Sequence, residues 1–134
     1  MPKRVCAECG EAFQPDRMTG PRCKPCASRR SHTKRVGDTY GLKPGQYEEL
    51  LAFQGGGDAV TGQKPRAKRL AVDHDHATGE VRGLLLKHTN FYVIGWLESF
   101  DDPFAILDAL RAYLEEPPAR RLWGDSTPVA PSGR

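Results

Sequence analysis

The sequence predicts a small α+β fold in three parts: a metal-stapled N-terminal module, a β-hairpin with a following helix, and a C-terminal amphipathic helix. Three observations carry this expectation. Four cysteines stand as two C-x-x-C pairs, Cys6/Cys9 and Cys23/Cys26. Two short β-type runs, "RLAV" (69–72) and "EVRGLLL" (80–86), flank the turn signal "ATG". Phe104, Leu107, Leu110 and Leu114 recur at helical spacing within "PFAILDALRAYLE". A chain of 134 residues supports one modest domain and an appendage rather than two full domains.

The cysteine module spans residues 1–35. Thirteen residues separate the two pairs, and the chain holds no other cysteine. Two tight C-x-x-C knuckles can present four thiolates to one tetrahedral ion, which predicts one structural zinc on Cys6, Cys9, Cys23 and Cys26. Two disulfides are the rival reading, and no secretory context supports them. A module this small does not fold without its metal. "ASRRSHTKR" (27–35) leads out of it as a basic helix or linker.

Residues 36–100 form the next part. "LKPGQYEELLAFQGGG" reads as a helix opening near Pro44, with Tyr47, Leu50 and Leu51 as its apolar stripe and Gly55–Gly57 as its stop. A polar basic loop (58–68) precedes the hairpin. "KHTNFYVIGWLES" (87–99) reads as a helix weakened by Gly95 and by the β-branched Val93 and Ile94. A helix at 101–116 and a disordered tail at 117–134, rich in Pro, Gly, Ser and Thr, complete the chain.

Net charge is +3, but the charge is uneven. Nine Lys or Arg face three acids in residues 1–36, and Lys64, Arg66, Lys68 and Arg69 cluster before the hairpin. Residues 98–116 carry six acids and the single base Arg111. A basic N-terminal half suits a polyanion such as DNA, with Arg29, Arg30, Lys68 and Arg69 as candidate contacts. No apolar run approaches the roughly 20 residues of a membrane span, and no signal-peptide pattern is present, so a cytoplasmic protein without a membrane partner is expected.

The hairpin carries the densest chemistry. Asp73, His74, Asp75 and His76 follow one another at the end of the first strand, and Asn90 follows the second. A strand, tight turn, returning strand and helix can bring Asn90 beside Asp73 and His74. A carboxylate and an amide carbonyl suit magnesium or manganese, and an imidazole suits a general base for a water attacking a phosphodiester. Read blandly, the row is a polar strand end with an Asx-type turn. Asp75 is left outside the catalytic set, as a brace for the hairpin or a partner for a base such as Arg82.

"VDHDH-TG-VRGLL" with its trailing asparagine, and "Y-EL----QGG" upstream, resemble the phage recombination endonuclease VII family of HNH-type nucleases. The resemblance covers roughly residues 36–100 and implies a ββα-metal (HNH) core. It makes Asp73 and Asn90 ligands of the catalytic ion and His74 the general base. It has His76 supporting the metal or scissile phosphate, and Arg82 facing the DNA backbone. Relatives carry "QGG-C--C" and "RGLLC--CN", a second zinc site; here those positions are Asp58, Thr61, Leu86 and Thr89. The expectation is that apolar packing of Leu86, Val60 and Ile94 replaces that metal. A remnant pair, Asp58 with His88, lacks thiolates and would bind zinc poorly.

Two function classes follow. One is a metal-dependent DNA endonuclease acting in phage DNA processing or recombination, in the host cytoplasm. The other is a nucleic-acid-binding protein that keeps the scaffold without cleavage. Branched or nicked DNA is the substrate class the resemblance allows, and symmetric cutting of a junction would favour a homodimer.

Overall fold

The computed structural model describes residues 1–131, which fall into two compact units, Met1–Lys87 and His88–Arg134. The architecture is small α+β, with five α-helices and two two-stranded antiparallel sheets among the described residues. No helix is long and apolar enough to cross a membrane.

In the first unit, β1 (Arg4–Val5) and β2 (Ala12–Phe13) pair around the first cysteine knuckle. Helix α1 (Lys24–Tyr40) starts on Cys23 as N-cap with Pro25 in its first turn, where a missing N–H costs nothing. It carries Gly37 through in helical form and stops at Gly41, whose φ of 75° lets its N–H reach the Gly37 carbonyl. One unbroken helix therefore crosses residue 35, where the sequence placed a module boundary. Helix α2 (Gln46–Phe53) follows, then β3 (Ala71–His74) and β4 (Val81–Leu85). Asp73 and His74 are strand residues rather than residues beyond a strand end.

Val36, Tyr47, Leu70, Val72 and Leu84 form the core, with Leu50, Leu51 and Leu86 partly buried against it. The Tyr47 hydroxyl donates to the Leu70 carbonyl at 2.7 Å, tying α2 to the approach of β3. His32 of α1 is buried edge-on against the Tyr47 ring, 4.3 Å between centroids. Its burial, with Arg69 and Arg35 facing it, holds its pKa below the ordinary histidine value.

The outer edge of β4 is closed by side chains. Gln54 acts as a surrogate strand: its Oε1 accepts from the Leu84 N–H and its Nε2 donates to the Leu84 carbonyl, both at 2.9 Å. Gly83 permits this approach, since a Cβ there would sit 3.3 Å from Gln54 Oε1. Just past the end of β4, the Leu86 N–H donates to Asp58 Oδ2 at 2.7 Å. Asp58 Oδ1 accepts from the N–H groups of Val60 and Thr61 at 2.8 and 2.9 Å. Gly57 has no room for a Cβ, which would meet the Gly62 carbonyl at 2.3 Å. Apolar packing does not fill the role expected of Val60, which is 63% exposed; the buried Asp58 carboxylate fills it with hydrogen bonds.

In the second unit, residues 89–98 are helical as expected, but the segment opens as a π-helical turn, Thr89–Ile94, before α3 (Gly95–Glu98). The Gly95 N–H reaches back five residues to the Asn90 carbonyl, and β-branched Val93 and Ile94 lie within this widened turn. Helix α4 (Pro103–Glu115) covers the amphipathic run "PFAILDALRAYLE", within the 101–116 expected, and Asp102 caps it by accepting from the N–H groups of Phe104 and Ala105. Composition pointed to disorder from residue 117, yet α5 (Pro118–Trp123) and a 3-10 turn (Gly124–Ser126) form there. Pro118 sits at the first helical position, where proline is favoured. The last three residues of the expected tail lie outside the described residues.

Two measurements test this account. Asp58→Asn replaces one acceptor oxygen by a donor facing backbone N–H groups and should lower stability by about 1–3 kcal/mol in denaturant unfolding; an unchanged midpoint would dismiss the carboxylate staple. Because the folded-state pKa of His32 is depressed, the unfolded chain binds more protons as pH falls below about 6.5. The stability due to neutral His32 should therefore be complete above that pH and decline below it. His32→Gln should flatten that part of a Tm-against-pH curve.

Candidate metal centre and active site

Cys6 follows β1, Cys9 lies in the turn, and Cys23 and Cys26 occupy the N-cap and first turn of α1. Their four sulfurs lie within 4.8 Å of one another, with Cys9 Sγ and Cys23 Sγ 3.8 Å apart. A tetrahedral zinc with Zn–S bonds of about 2.3 Å requires sulfur–sulfur edges of about 3.8 Å. Backbone N–H groups of Glu8 and Cys23 point at Cys6 Sγ from 3.4 and 3.3 Å, and Arg29 Nη2 lies 3.4 Å from Cys26 Sγ.

All four are free thiols. Backbone N–H groups, that of Cys9 foremost and then that of Cys23, hold the Cys6 thiol down to about 6. The hydrogen bond with Cys23, followed by burial, pushes Cys26 up to about 12. Crowded thiols of opposite tendency cannot all ionise unaided, and a divalent cation removes that conflict. The donor set and its N–H···S support fit a metal such as zinc.

The hairpin geometry turns on one irregularity. Asp73 pairs with Gly83, but His74 pairs with Val81, so Arg82 is the extra residue of a β-bulge. Bulges re-aim side chains. This one lays the Arg82 guanidinium on the buried Asp73 carboxylate, Nε to Oδ2 at 2.8 Å and Nη2 to Oδ1 at 3.0 Å. Arg82, expected to face the DNA backbone, is thus engaged on Asp73. One lone pair on each carboxylate oxygen is used in this bidentate arrangement; a carboxylate has about four such positions, which leaves room for a hard cation.

His74 is half-buried and meets two rings at a tilt: Tyr40 of α1 at 5.4 Å and the exposed His76 at 4.7 Å between centroids. Asp75 instead caps the turn. Its Oδ1 accepts from the N–H groups of Ala77 and Thr78, and those bonds, Thr78 first, hold its carboxyl below the usual range. Asn90 belongs to the second unit, in the π-helical turn.

Arg29 and Arg30 line a groove of about 780 Å³ along the first half of α1, together with Arg22 and Lys34. Arg22 is paired with Glu8 at 3.2 Å. Lys68 and Arg69 are exposed just before β3. The roles of Gln54, Asp58, His32 and Tyr40 were missed from sequence. The one available signal was an acid, Asp58, standing where a metal ligand was expected.

A model of the recombination endonuclease VII family matches residues 33–116, from within α1 to the end of α4. The chain belongs to the recombination endonuclease VII family. It is 38% identical over 114 residues to the Gene 59 protein of Mycobacterium phage D29, covering 79% of this chain and 67% of that protein. It is 36% identical over 114 residues to the Gene 59 protein of Mycobacterium phage L5, covering 79% and 68%. No solved structure matches the chain significantly. The four-cysteine centre lies N-terminal to the segment matched by the endonuclease VII model, whereas the whole β3–β4 hairpin lies inside it.

Purified protein should contain about one zinc per chain. Elemental analysis of a Cys6→Ser/Cys23→Ser variant should find almost none, and undiminished zinc in that variant would remove the assignment.

Proposed function

We propose that this endonuclease VII family member is a divalent-metal-dependent DNA endonuclease. The observation that carries the reading is the hairpin: a buried carboxylate and a half-buried imidazole adjoin on β3, inside the family-matched segment. Asp73, with Asn90, would hold magnesium or manganese, which when bound supplies Lewis acidity toward a phosphodiester oxygen.

The chain's own groups do the rest. Imidazole ordinarily titrates near neutral pH, so a nitrogen of His74 takes the proton from the attacking water. The water oxygen bonds to phosphorus, and the bond to the leaving sugar oxygen breaks, that oxygen taking a proton from solvent. Tyr40 and His76 both pack on the His74 ring, and His76 supports the phosphate. Arg82 holds the Asp73 carboxylate in place, which preorganises the ligand. Arg29 and Arg30 grip the DNA backbone alongside the zinc-held turn. The substrate class is DNA processed in phage recombination, branched or nicked, and a homodimer would supply the two sites that symmetric cutting needs.

One observation favours a second reading. The guanidinium already neutralises Asp73, as a protein that binds DNA without cutting it would tolerate.

His74→Ala should keep fold and DNA affinity while losing about 10²–10⁴-fold in cleavage of plasmid with magnesium; wild-type cutting by that variant would sink the scheme. Asp73→Ala and Asn90→Ala should also lose cleavage, with partial recovery in excess manganese. Wild-type protein that binds DNA but fails to cut it whichever divalent ion is added would establish the second reading. Arg29→Gln/Arg30→Gln, made in the full chain because α1 crosses residue 35, should reduce the salt dependence of DNA binding by a slope of about 2. An unchanged slope would relegate these side chains to solubility.

A further inference from the structure

A second cleft, of about 360 Å³, opens between the last half of α1 and the start of β3. It is lined by His32, Arg35 and Tyr40 from the helix and by Lys68 and Arg69 from the loop entering the strand, over a floor of core residues such as Val72. No carboxylate lines it. Its size is within the range of about 300–1,000 Å³ usual for ligand sites. Three cations drawn together without an acid repel one another unless an anion completes the set.

His32 adds a donor to the same cleft. The residue is 4% exposed, its ring meets Tyr47 edge-on, and it lines the cleft beside the basic side chains. The charges acting on it, after burial itself, are Arg69 and Arg35, with Glu48 of α2 the weakest. An imidazole N–H beside two guanidinium groups and an ammonium is a donor set for phosphate oxygens.

We propose that this cleft is a phosphate-binding subsite for the backbone of the DNA strand beside His74, with Arg35, Lys68, Arg69 and His32 as its donors. This deepens the endonuclease reading and rests on it for the identity of the strand. Tyr40 joins the two sites, since its ring lines the cleft and also packs on His74. Ala71, which also lines the cleft, and His74 are three strand residues apart, about 10 Å. At about 3.4 Å of axis per phosphate on one strand, a phosphate in the cleft lies about three nucleotides from the one beside His74.

The test uses the zinc-loaded full chain and a short DNA duplex, with affinity read by fluorescence anisotropy without added divalent cation. Arg35→Gln/Arg69→Gln replaces two exposed residues, so the fold should survive, as circular dichroism will verify. The expected result is at least a tenfold weaker Kd and a salt slope smaller by about 2. Arg120→Gln/Arg121→Gln on α5, with the same charge change, should stay within about twofold of wild type. Equal effects of the two double variants would overturn the subsite. The His32 ring signals in a ¹H–¹⁵N spectrum should shift on adding duplex and stay in place with millimolar inorganic phosphate. Movement with phosphate alone as well would assign the cleft to free anions and overturn the DNA strand as its ligand. No movement with either would overturn the subsite entirely. If the cleft variant binds DNA weakly yet wild type fails to cut DNA whichever divalent ion is added, the subsite stands and the endonuclease reading fails. If wild type cuts and the cleft variant binds and cuts alike, the subsite fails alone.

Discussion

The first unit depends on how the outer edge of β4 is satisfied. Strands of four and five residues make a hairpin that is marginal by itself. Its outer edge would also leave backbone groups unpaired. Gln54 and Asp58 complete that edge in place of a third strand, the amide at Leu84 and the carboxylate at Leu86. Because Gln54 directly follows α2 and Asp58 begins the next loop, the same bonds fix the helix, the loop and the strand together. Asp58, Thr61 and Leu86 stand where the family resemblance places three thiolates of a zinc site. Here one carboxylate links all three positions through N–H groups. A tetrahedral ion and a hydrogen-bonded carboxylate solve the same problem of joining two loops, but only the second is indifferent to chelators.

The bulge at Arg82 is the second constraint, and it acts on chemistry rather than stability. Regular pairing would have placed Val81 and Arg82 each one step along, with Arg82 opposite His74. The skipped residue instead delivers a planar fork to the Asp73 carboxylate in bidentate geometry. That contact fixes the carboxylate's rotamer in a buried position. It also separates Asp73 from Asp75 in function: the first is aimed by an arginine, the second is consumed by the turn.

The sequence was most legible where one physical rule acts alone. The cysteine spacing anticipated the sulfur cluster, and apolar periodicity anticipated α4. The hairpin was legible from two β-type runs and a turn signal, although β3 began two residues later than alternation suggested. What could not be read depends on relations between distant segments. A bulge cannot be seen in one strand's pattern, so Arg82 was aimed at DNA. Asp58 was judged by what it lacked as a zinc ligand, when its burial and its three N–H partners determine its role. The π-helical turn escaped because Gly95 and Ile94 argue only for a weak helix, while the widened turn is a choice among helix types.

Helix α1 joins these features into a single mechanical element. Its 17 residues span about 25 Å. Its first turn is held by two of the four cysteines, its middle carries Arg29 and Arg30, and its last turn sets Tyr40 against His74. Near its far end it is held independently of any metal, through Val36 in the core and His32 against Tyr47. A metal at the cysteines would organise the near end, while the ring packing at His74 lies at the end held by the core. A basic helix held at its far end in this way, and at its near end by the cysteine cluster, would lose little further freedom on meeting a polyanion.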